Sequence, residues 1–300
     1  MNDRDRRESG RLMLISPERV FYAGLLGRPR RRTSGGYNIY AAMGGHLKIT
    51  EGKFEASGEL AMVPPYVSHS VESEHPSIIC LVIEPETVEP AAMDALSARI
   101  CGADAPVIAR RIRAAYEALR LRERRGGFTT GEFDLMFLGE ALPDRNIDRR
   151  IRRAAAQLND FSGSKMNAAD CAASVNLSPS RFLHLFKEQT GISFRAFRAW
   201  KRARHLLHFV NEDINLAHLA QDIGYPDSTH FSHSIRRFYG LQPRAIFSGS
   251  RDLAIYRSDP GMPDNAGFRQ GRPCPRLRLS ALTQVAERCG THDPPNLTCE

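Results

Sequence analysis

The chain has 300 residues, with 42 Lys and Arg against 34 Asp and Glu, and a formal net charge of +8 at pH 7. This length is sufficient for two domains, each with its own hydrophobic core. The first eleven residues are polar and charged, and no apolar run approaches the ~20 residues of a membrane-spanning helix. We therefore expect neither a signal peptide nor a membrane segment.

The positive charge is concentrated in one part of the chain. Residues 1–145 contain 20 basic and 20 acidic residues, whereas residues 146–249 contain 15 basic and 8 acidic ones. A basic segment beside a neutral one favours a polyanionic partner for the basic segment. The cysteines show no paired spacing, which indicates a reducing compartment without disulfides or a zinc site (Cys80, Cys101, Cys171, Cys274, Cys289 and Cys299).

The first part of the chain is predicted to be rich in β-strands. Partial alternation of apolar and polar residues marks strands near 37–41, 46–50 and 59–63, and glycines separate them. Residues 77–83 form a continuous apolar run, which is typical of a strand buried on both faces. Many short strands between residue 12 and about residue 85 favour a small antiparallel barrel or sandwich.

Helices are predicted to follow these strands. Apolar residues at helical spacing predict helices over 91–101, 106–125 and 131–142, and Pro143-Asp144 indicates a domain boundary. We therefore expect a first domain over 12–145 and a second over 146–248. Residues 249–300 are rich in Pro, Gly and polar residues and are expected to form a disordered tail.

Residues 167–247 repeat one helical pattern. Asn167 and, 48 residues later, Asn215 each stand where they can cap a helix. The apolar positions of the two copies coincide when the second turn is given one additional residue, so that Cys171 matches Leu219, Val175 matches Ile223, Phe182 matches Phe231 and Phe186 matches Ile235. Two helix-turn-helix units, joined by a long helix over 194–210, are the simplest account.

The second helix of each unit is predicted to enter the major groove of DNA. Its apolar face points inward, so hydroxyls and imidazoles on the opposite face can meet base edges. The candidate base contacts are Ser180, Leu183 and His184 in the first unit, and Ser228, Thr229, Ser232 and His233 in the second. The candidate phosphate contacts lie at the helix rims: Arg181, Lys187, His230, Arg236 and Arg237.

The predicted joining helix bears on how the two units are spaced. Seventeen residues, 194–210, span ~25 Å as an α-helix, which suits recognition helices in successive major grooves ~34 Å apart. The alternative is a helical bundle whose repeat serves packing alone. The basic outward faces and the local charge surplus argue against that alternative.

Two segments resemble a known family: 182–194, FLHLFKEQTGISF, and 224–243, GYPDSTHFSHSIRRFYGLQP. They are similar to the AraC/XylS family of bacterial transcription regulators, and the second is close to the family signature. The resemblance covers residues 147–247 and implies seven helices, a cytoplasmic location and binding to promoter DNA near RNA polymerase. Ile235 stands where the family usually has Phe, and Asn176 where Gly is common. Asn tolerates a left-handed backbone, so the turn should persist.

The family commonly carries a cupin-like effector or dimerisation domain ahead of its DNA-binding domain, and residues 35–85 resemble such a barrel. The implied fold class is α+β, with a cupin-like β-barrel, flanking helices and an all-α double helix-turn-helix domain. Tyr37, Tyr40 and His69 are the candidate effector pocket, and helix 106–125 is a candidate homodimer contact. The alternatives are a barrel filled by its own side chains and a helix packed only on its own barrel.

Several function classes compete at this point. We favour a non-enzymatic, sequence-specific transcription regulator, with activation as the working direction, a small-molecule effector and no cofactor. A metal-dependent cupin enzyme fused to a DNA-targeting domain is the alternative, but His46, His69 and His75 are sparse and no His-x-His pair occurs. A DNA-repair role needs a reactive methyl-acceptor cysteine, and Cys80 and Cys101 lack that context.

Overall fold

A computed structural model of the chain describes residues 10–28, 30–122, 126–159 and 166–258. Strands dominate the first third of these residues and helices the remainder, so the fold is mixed α+β. Most of the predicted disordered tail, residues 259–300, lies outside the described residues. Among the residues that the structure does describe, none of the helices combines the length and apolar composition needed to cross a bilayer.

The described strands form two sheets. They are β1 (Leu12–Ile15), β2 (Arg19–Leu25), β3 (Tyr37–Ala42), β4 (Leu47–Glu51), β5 (Phe54–Gly58), β6 (Leu60–Val63), β7 (Ser70–Ser73), β8 (Ser77–Ile83) and β9 (Ala254–Arg257). The larger sheet has the order β6-β3-β8-β2-β1-β9 and the smaller one β5-β4-β7. Neither sheet closes on itself within the described residues, so the predicted barrel is not seen as such.

The apolar run of β8 lies where its composition places it, in the middle of the larger sheet. It pairs with β2 on one side and with β3 on the other, both antiparallel. Side chains alternate across the sheet, as the two-residue period of a strand requires. On β3, Ile39 and Ala41 therefore enter one core, and Tyr40 and Ala42 enter another on the opposite face.

Three helices cover the first of these faces: α1 (Pro90–Ile100), α2 (Ala105–Leu121) and α3 (Thr130–Leu138). The third ends four residues earlier than the predicted 142, because Gly139 takes a left-handed conformation with φ 87°. Its start is fixed by a capping box between Thr129 and Glu132. Arg19 of β2 bonds Asp134 of α3 at 2.8 Å in the buried layer between sheet and helices.

The remaining helices form the helical region, residues 149–249. Seven α-helices are described there: α4 (Arg149–Asn159), α5 (Ala168–Ser174), α6 (Pro179–Thr190), α7 (Phe194–His205), α8 (Leu216–Asp222), α9 (Ser228–Tyr239) and α10 (Pro243–Gly249). Asn167 and Asn215 accept backbone N–H groups at the starts of α5 and α8, as predicted. Asn176 has φ 56°, so the left-handed turn expected of it is confirmed.

The joining helix is shorter than predicted. It ends at His205 instead of Val210, and a 3-10 turn over Leu206–His208 follows. The tighter turn brings Leu206 and Val210 into the core of the second unit. Twelve α-helical residues span ~18 Å, so the ~25 Å rigid spacer inferred from the sequence is not present.

The chain beyond residue 248 also departs from the prediction. Residues 254–257 form β9, which lies parallel to β1 with Leu12 opposite Ala254 and Ile15 opposite Arg257. Leu253 and Ala254 are buried, because this short apolar stretch meets the open edge of β1. The expected tail therefore begins with an ordered strand, and the domain limits at 145 and 248 remain predictions.

Candidate nucleic-acid interface and interdomain cavity

The first helix-turn-helix unit, α5 and α6, is built on a core of its own. Ser178 caps α6 by accepting the backbone N–H of Arg181. Phe182 and Phe186 are fully buried and make edge-on contacts with Phe194 at 5.2 and 5.3 Å between ring centroids. All buried members of this core come from residues 147–197. The packing fixes which face of α6 meets solvent.

The second unit, α8 and α9, repeats this arrangement. Gly224, with φ 83°, takes the place of Asn176 in the turn. Asp227 caps α9 by accepting the N–H groups of His230 and Thr229, and these bonds lower the pKa of its carboxyl. Phe231 and Ile235 are buried, as their matches in the first unit are. The sequence repeat is therefore also a structural one.

The outward faces of α6 and α9 carry the side chains predicted to contact DNA. Of the twelve, only Ser232 is half-buried, and the others are exposed: Ser180, Arg181, Leu183, His184, Lys187, Ser228, Thr229, His230, His233, Arg236 and Arg237. Leu183 is 41% exposed, so its side chain is available for contact with a thymine methyl group.

Three of the predicted phosphate contacts have additional neighbours. The His230 ring lies 2.8 Å from the carboxylate of Asp227, an acidic group that would face the same phosphate. The guanidinium of Arg237 lies over the Phe238 ring at 5.5 Å. Arg236 and Arg237 also border a cavity that the sequence did not reveal. The individual base and phosphate assignments remain predictions.

The second recognition helix is attached to the β-rich half of the protein. The attachment is made by the arginine loop, defined as residues 27, 28 and 30–34, which follows β2. The backbone N–H of Arg30 donates to the carbonyl of Gly240 at 2.9 Å, and the N–H of Thr33 donates to that of Arg237 at 2.7 Å. These bonds satisfy carbonyls that the end of α9 leaves without helical partners.

A buried ionic cluster makes a second attachment, through α7. Glu84, just after β8, accepts from the indole N–H of Trp200 and from Lys201 at 2.8 Å, and it pairs with Arg204 at 2.8 Å. Burial acts to raise the pKa of this carboxyl, but the two cations outweigh it and the pKa of Glu84 lies below its usual value. Burial raises the pKa of the adjacent Glu86.

The sequence contained a signal for this cluster that composition alone did not identify. Two glutamates directly follow the apolar run of β8, and Trp200, Lys201 and Arg204 share one side of α7. Charged residues are rarely fully buried unless they are paired. The two sets lie more than a hundred residues apart, so their pairing required the structure.

A cavity of about 980 Å³ lies between these attachments. One wall is the sheet face of β2, β3 and β8, including Tyr22, Tyr40 and Val82, and the other is the second unit, including Leu207 and Phe238. Its lining contains eight arginines and no Asp or Glu: Arg28, Arg30, Arg31, Arg32, Arg204, Arg236, Arg237 and Arg244. An apolar cavity with a cationic rim suits an apolar ligand that carries a negative group.

The structure brings together two of the three residues predicted to form the effector pocket, Tyr40 and His69. Tyr40 lines the cavity, but Tyr37 packs on the opposite face of β3, because neighbouring odd and even positions of a strand alternate. His69 lies behind Tyr40 and outside the cavity lining, with Nε2 2.8 Å from the Tyr40 hydroxyl and Nδ1 3.0 Å from the carbonyl of Val67. Burial lowers the pKa of His69 to about 4.

Arg32 lines the cavity and has unsatisfied donors. Its Nε and one terminal nitrogen are buried and make no hydrogen bond to the part of the chain that the structure describes. Its guanidinium lies 5.3 Å from the centre of the Tyr40 ring. Buried donors without acceptors are costly, so this position favours a bound acceptor. The neighbouring Cys80 is held as a thiol, because burial raises its pKa to about 12.

The described residues offer no group of three or more His, Cys, Asp and Glu side chains that could hold a metal ion. The three histidines considered as metal ligands in the sequence have different surroundings. His69 is bonded within the core, whereas His46 and His75 are on exposed turns, where His46 faces Glu74.

The helical region is similar in sequence to known proteins. Residues 171–248 match a family model described as a helix-turn-helix domain. Over 108 residues the chain is 30% identical to the arabinose operon regulatory protein of Escherichia coli K12, which is 35% of this chain and 37% of that protein. Over 115 residues it is 32% identical to the HTH-type transcriptional activator RhaS of Escherichia fergusonii, covering 37% of this chain and 40% of that protein.

The match therefore spans well under half the length of these curated relatives. Among solved structures, ToxT from Vibrio cholerae O395 is similar over 78% of this chain and 99% of its own, with a TM-score of 0.49 and 11% sequence identity.

Proposed function

We propose that this protein, whose helix-turn-helix region is of the AraC/XylS family, is a transcription regulator that binds promoter DNA and responds to a small molecule. The observation that carries the proposal is the pair of matched, exposed polar faces on α6 and α9, within the segment that matches the family. The relatives are named as regulators, so we propose a binding protein and not an enzyme, acting in the cytoplasm.

Both recognition helices are proposed to read bases. His184 and His233 occupy equivalent outward positions, and each imidazole can donate or accept at a base edge. Lys187 and Arg236, one turn further along, are proposed to bind phosphates. Because α7 is shorter than the sequence suggested, the spacing of the two helices depends also on the turn at Leu206–His208.

The test begins with selection of bound duplexes from a random 30-bp pool by the full-length protein. Replacing His184 or His233 by Ala should weaken binding to the selected duplex by about 1–3 kcal/mol and leave binding to random DNA unchanged. Equal losses on both duplexes would refute base reading by these residues. Lys187→Gln should weaken binding to the selected duplex and to random DNA alike, and it should reduce the slope of log K against log salt by about 0.9.

The cavity is proposed to be the effector site, in place of the pocket inferred from Tyr37, Tyr40 and His69. Arg32 supplies buried donors, and the apolar walls accept the body of the ligand. A fluorescent probe of this chemistry is 1-anilinonaphthalene-8-sulfonate, which joins an aromatic body to one sulfonate. We expect saturable binding that Arg32→Gln weakens about tenfold and that Arg110→Gln, on α2, does not. Equal binding by the two variants would exclude Arg32 as the anchor.

Three finer features remain part of the proposal. The β-rich half is proposed to be a cupin relative, because strands of both sheets contribute to one core, on the Tyr40 face of β3. Contact with RNA polymerase follows from the proposed role at promoters. A homodimer through α2 is the third, and its exposed Val107 and Leu121 support it. Sedimentation of Leu121→Glu against the native chain tests the dimer.

A further inference from the structure

The arginine loop carries three cations that line the cavity rim and to which the proposed function assigns no role in DNA binding. Arg28, Arg30 and Arg31 are exposed, and none of them forms an ion pair with another described residue. Their side chains belong to the β-rich half by sequence. Their backbone, however, is bonded to the end of the second recognition helix, through the Arg30 N–H and the Gly240 carbonyl.

This placement extends the basic face of the second unit. Gly240 lies four residues after Arg236 on α9, or ~6 Å along the helix axis. The backbone of the loop therefore lies against the end of α9, about one turn beyond Arg236. A Cβ built at Gly27 would lie 3.8 Å from the side chain of Leu241, so the loop also passes close to the turn into α10. Arg244 of α10 adds one more cation at the same edge.

Like charges gathered at one edge repel one another, and no acidic residue in the described cavity lining offsets them. A fold retains such a cluster at a cost unless a polyanion neutralises it. The backbone phosphates of DNA are the polyanion that the adjacent recognition helix is proposed to approach. The first unit has no equivalent, because the described residues around α6 include no loop from the β-rich half.

We propose that the arginine loop is a third DNA-contacting element, with Arg28, Arg30 and Arg31 on phosphates flanking the groove read by the second unit. This inference rests on the proposed DNA-binding function. The β-rich half then contributes affinity directly, in addition to any response to a ligand. The DNA contact of the second unit extends further along the duplex than that of the first.

The experiment compares two triple variants of the full-length protein that lose the same charge. One is Arg28→Gln, Arg30→Gln, Arg31→Gln. The control is Lys48→Gln, Lys53→Gln, Arg99→Gln, on the surface of the β-rich half outside α2. Fluorescence anisotropy with a labelled duplex selected by the native protein is recorded from 50 to 300 mM NaCl. The loop variant should reduce the slope of log K against log salt by about two to three, and the control should leave it unchanged.

The outcomes separate the inference from the function beneath it. If the native protein selects no duplex and shows no salt-dependent binding, the proposed function fails. If it binds and the loop variant keeps the native slope, the loop contact is refuted and DNA binding stands. Equal loss in both triple variants would also refute it, because it would report net charge alone. Gln keeps the backbone bond of Arg30, and thermal unfolding of each variant verifies the fold.

Discussion

The two helix-turn-helix units share a sequence pattern but differ in what their helices pack against. The first encloses a core drawn only from residues 147–197. The second shares its core with β1 and β2 of the β-rich half, through Met13, Ile15 and Val20. Its recognition helix is also bonded to the arginine loop. A repeat in sequence thus specifies the same local fold twice without specifying the same mechanical coupling.

This difference has a direct functional consequence within the proposal. A change in the cavity meets α9 and the end of α7 first, since both contribute to its walls. The first unit is reached only through α7 and the chain that precedes α4. We therefore expect the second unit to be the one whose position depends on the β-rich half, and the first to behave as an independent reader.

The largest expected effects come from removing matched core rings. Phe182→Ala and Phe231→Ala should each lower the free energy of unfolding of their unit by about 3–5 kcal/mol, because both rings are buried and leave a cavity. Hydrogen exchange measures where the loss spreads. Phe182→Ala should speed exchange only among the elements that share its core, from α4 to the start of α7, whereas Phe231→Ala should also affect β1. Equal spread from both would remove the distinction between the units.

Glu84→Gln breaks the attachment made through α7. Lys201 and Arg204 then keep their charges in a buried site with one partner neutralised, which should cost about 3 kcal/mol of unfolding free energy in urea denaturation. The control is Glu117→Gln, in an exposed pair with Arg120, which should leave the midpoint unchanged. Exchange in α6 should stay native in both variants. Faster exchange there would show that the first unit depends on the cluster.

Acid should weaken the β-rich half before the first unit. The pKa of His69 is lowered to about 4 by burial, so its neutral form stabilises the fold above the unfolded value of about 6.5. That stability is lost as the pH falls from about 6.5 through 4, and amounts to about 2 kcal/mol between pH 8 and pH 5.

The measurement is the free energy of unfolding at pH 8 and pH 5 for the native chain and for His69→Gln, which cannot titrate. The variant should lose that part of the pH dependence. His69 pairs through its backbone with Arg32 of the arginine loop, so the amides of α9 should lose protection in the native chain as well. An identical pH dependence in both proteins would exclude His69 as the group responsible.

The smallest effect separates two glycines at matched helix ends. Gly191 and Gly240 both have left-handed backbones, with φ 79° and 71°, so Ala should cost about 1 kcal/mol of strain at either. A Cβ at Gly240 would lie 2.3 Å from the carbonyl oxygen of Arg30, whereas nothing lies within 4 Å of one at Gly191. Gly240→Ala should therefore cost about 1 kcal/mol more and expose the Arg30 amide to exchange. Equal melting temperatures of the Gly191→Ala and Gly240→Ala variants would mean that the loop is not held against α9.

The sequence was most informative where structure is local. The caps at Asn167 and Asn215, the left-handed Asn176 and the matched buried rings follow from short-range chemistry, and the structure confirms them. The predicted length of the joining helix was wrong, because the apolar pattern through Val210 continues across a 3-10 turn. Periodicity locates buried positions and does not distinguish the two kinds of helix.

The cavity and the two attachments lay beyond the sequence for a different reason. They depend on contacts between residues separated by more than a hundred positions, such as Trp200 with Glu84. Tyr37 and Tyr40 seemed neighbours in the chain, but three positions along a strand place side chains on opposite faces. Strand β9 was missed because four apolar-rich residues open a segment whose overall composition is polar.

Strand β9 gives the molecule an unusual chain path. The polypeptide leaves the larger sheet after β8, builds the whole helical region, and returns to lie beside β1, the first strand of the same sheet. In terms of topology, the helical region is an insertion between strands of one sheet, held at both ends. A chain that ends at residue 248 therefore lacks β9, and its β-rich half is incomplete. Such a chain would leave β1 with a bare edge, and the sheet open to pairing with another chain.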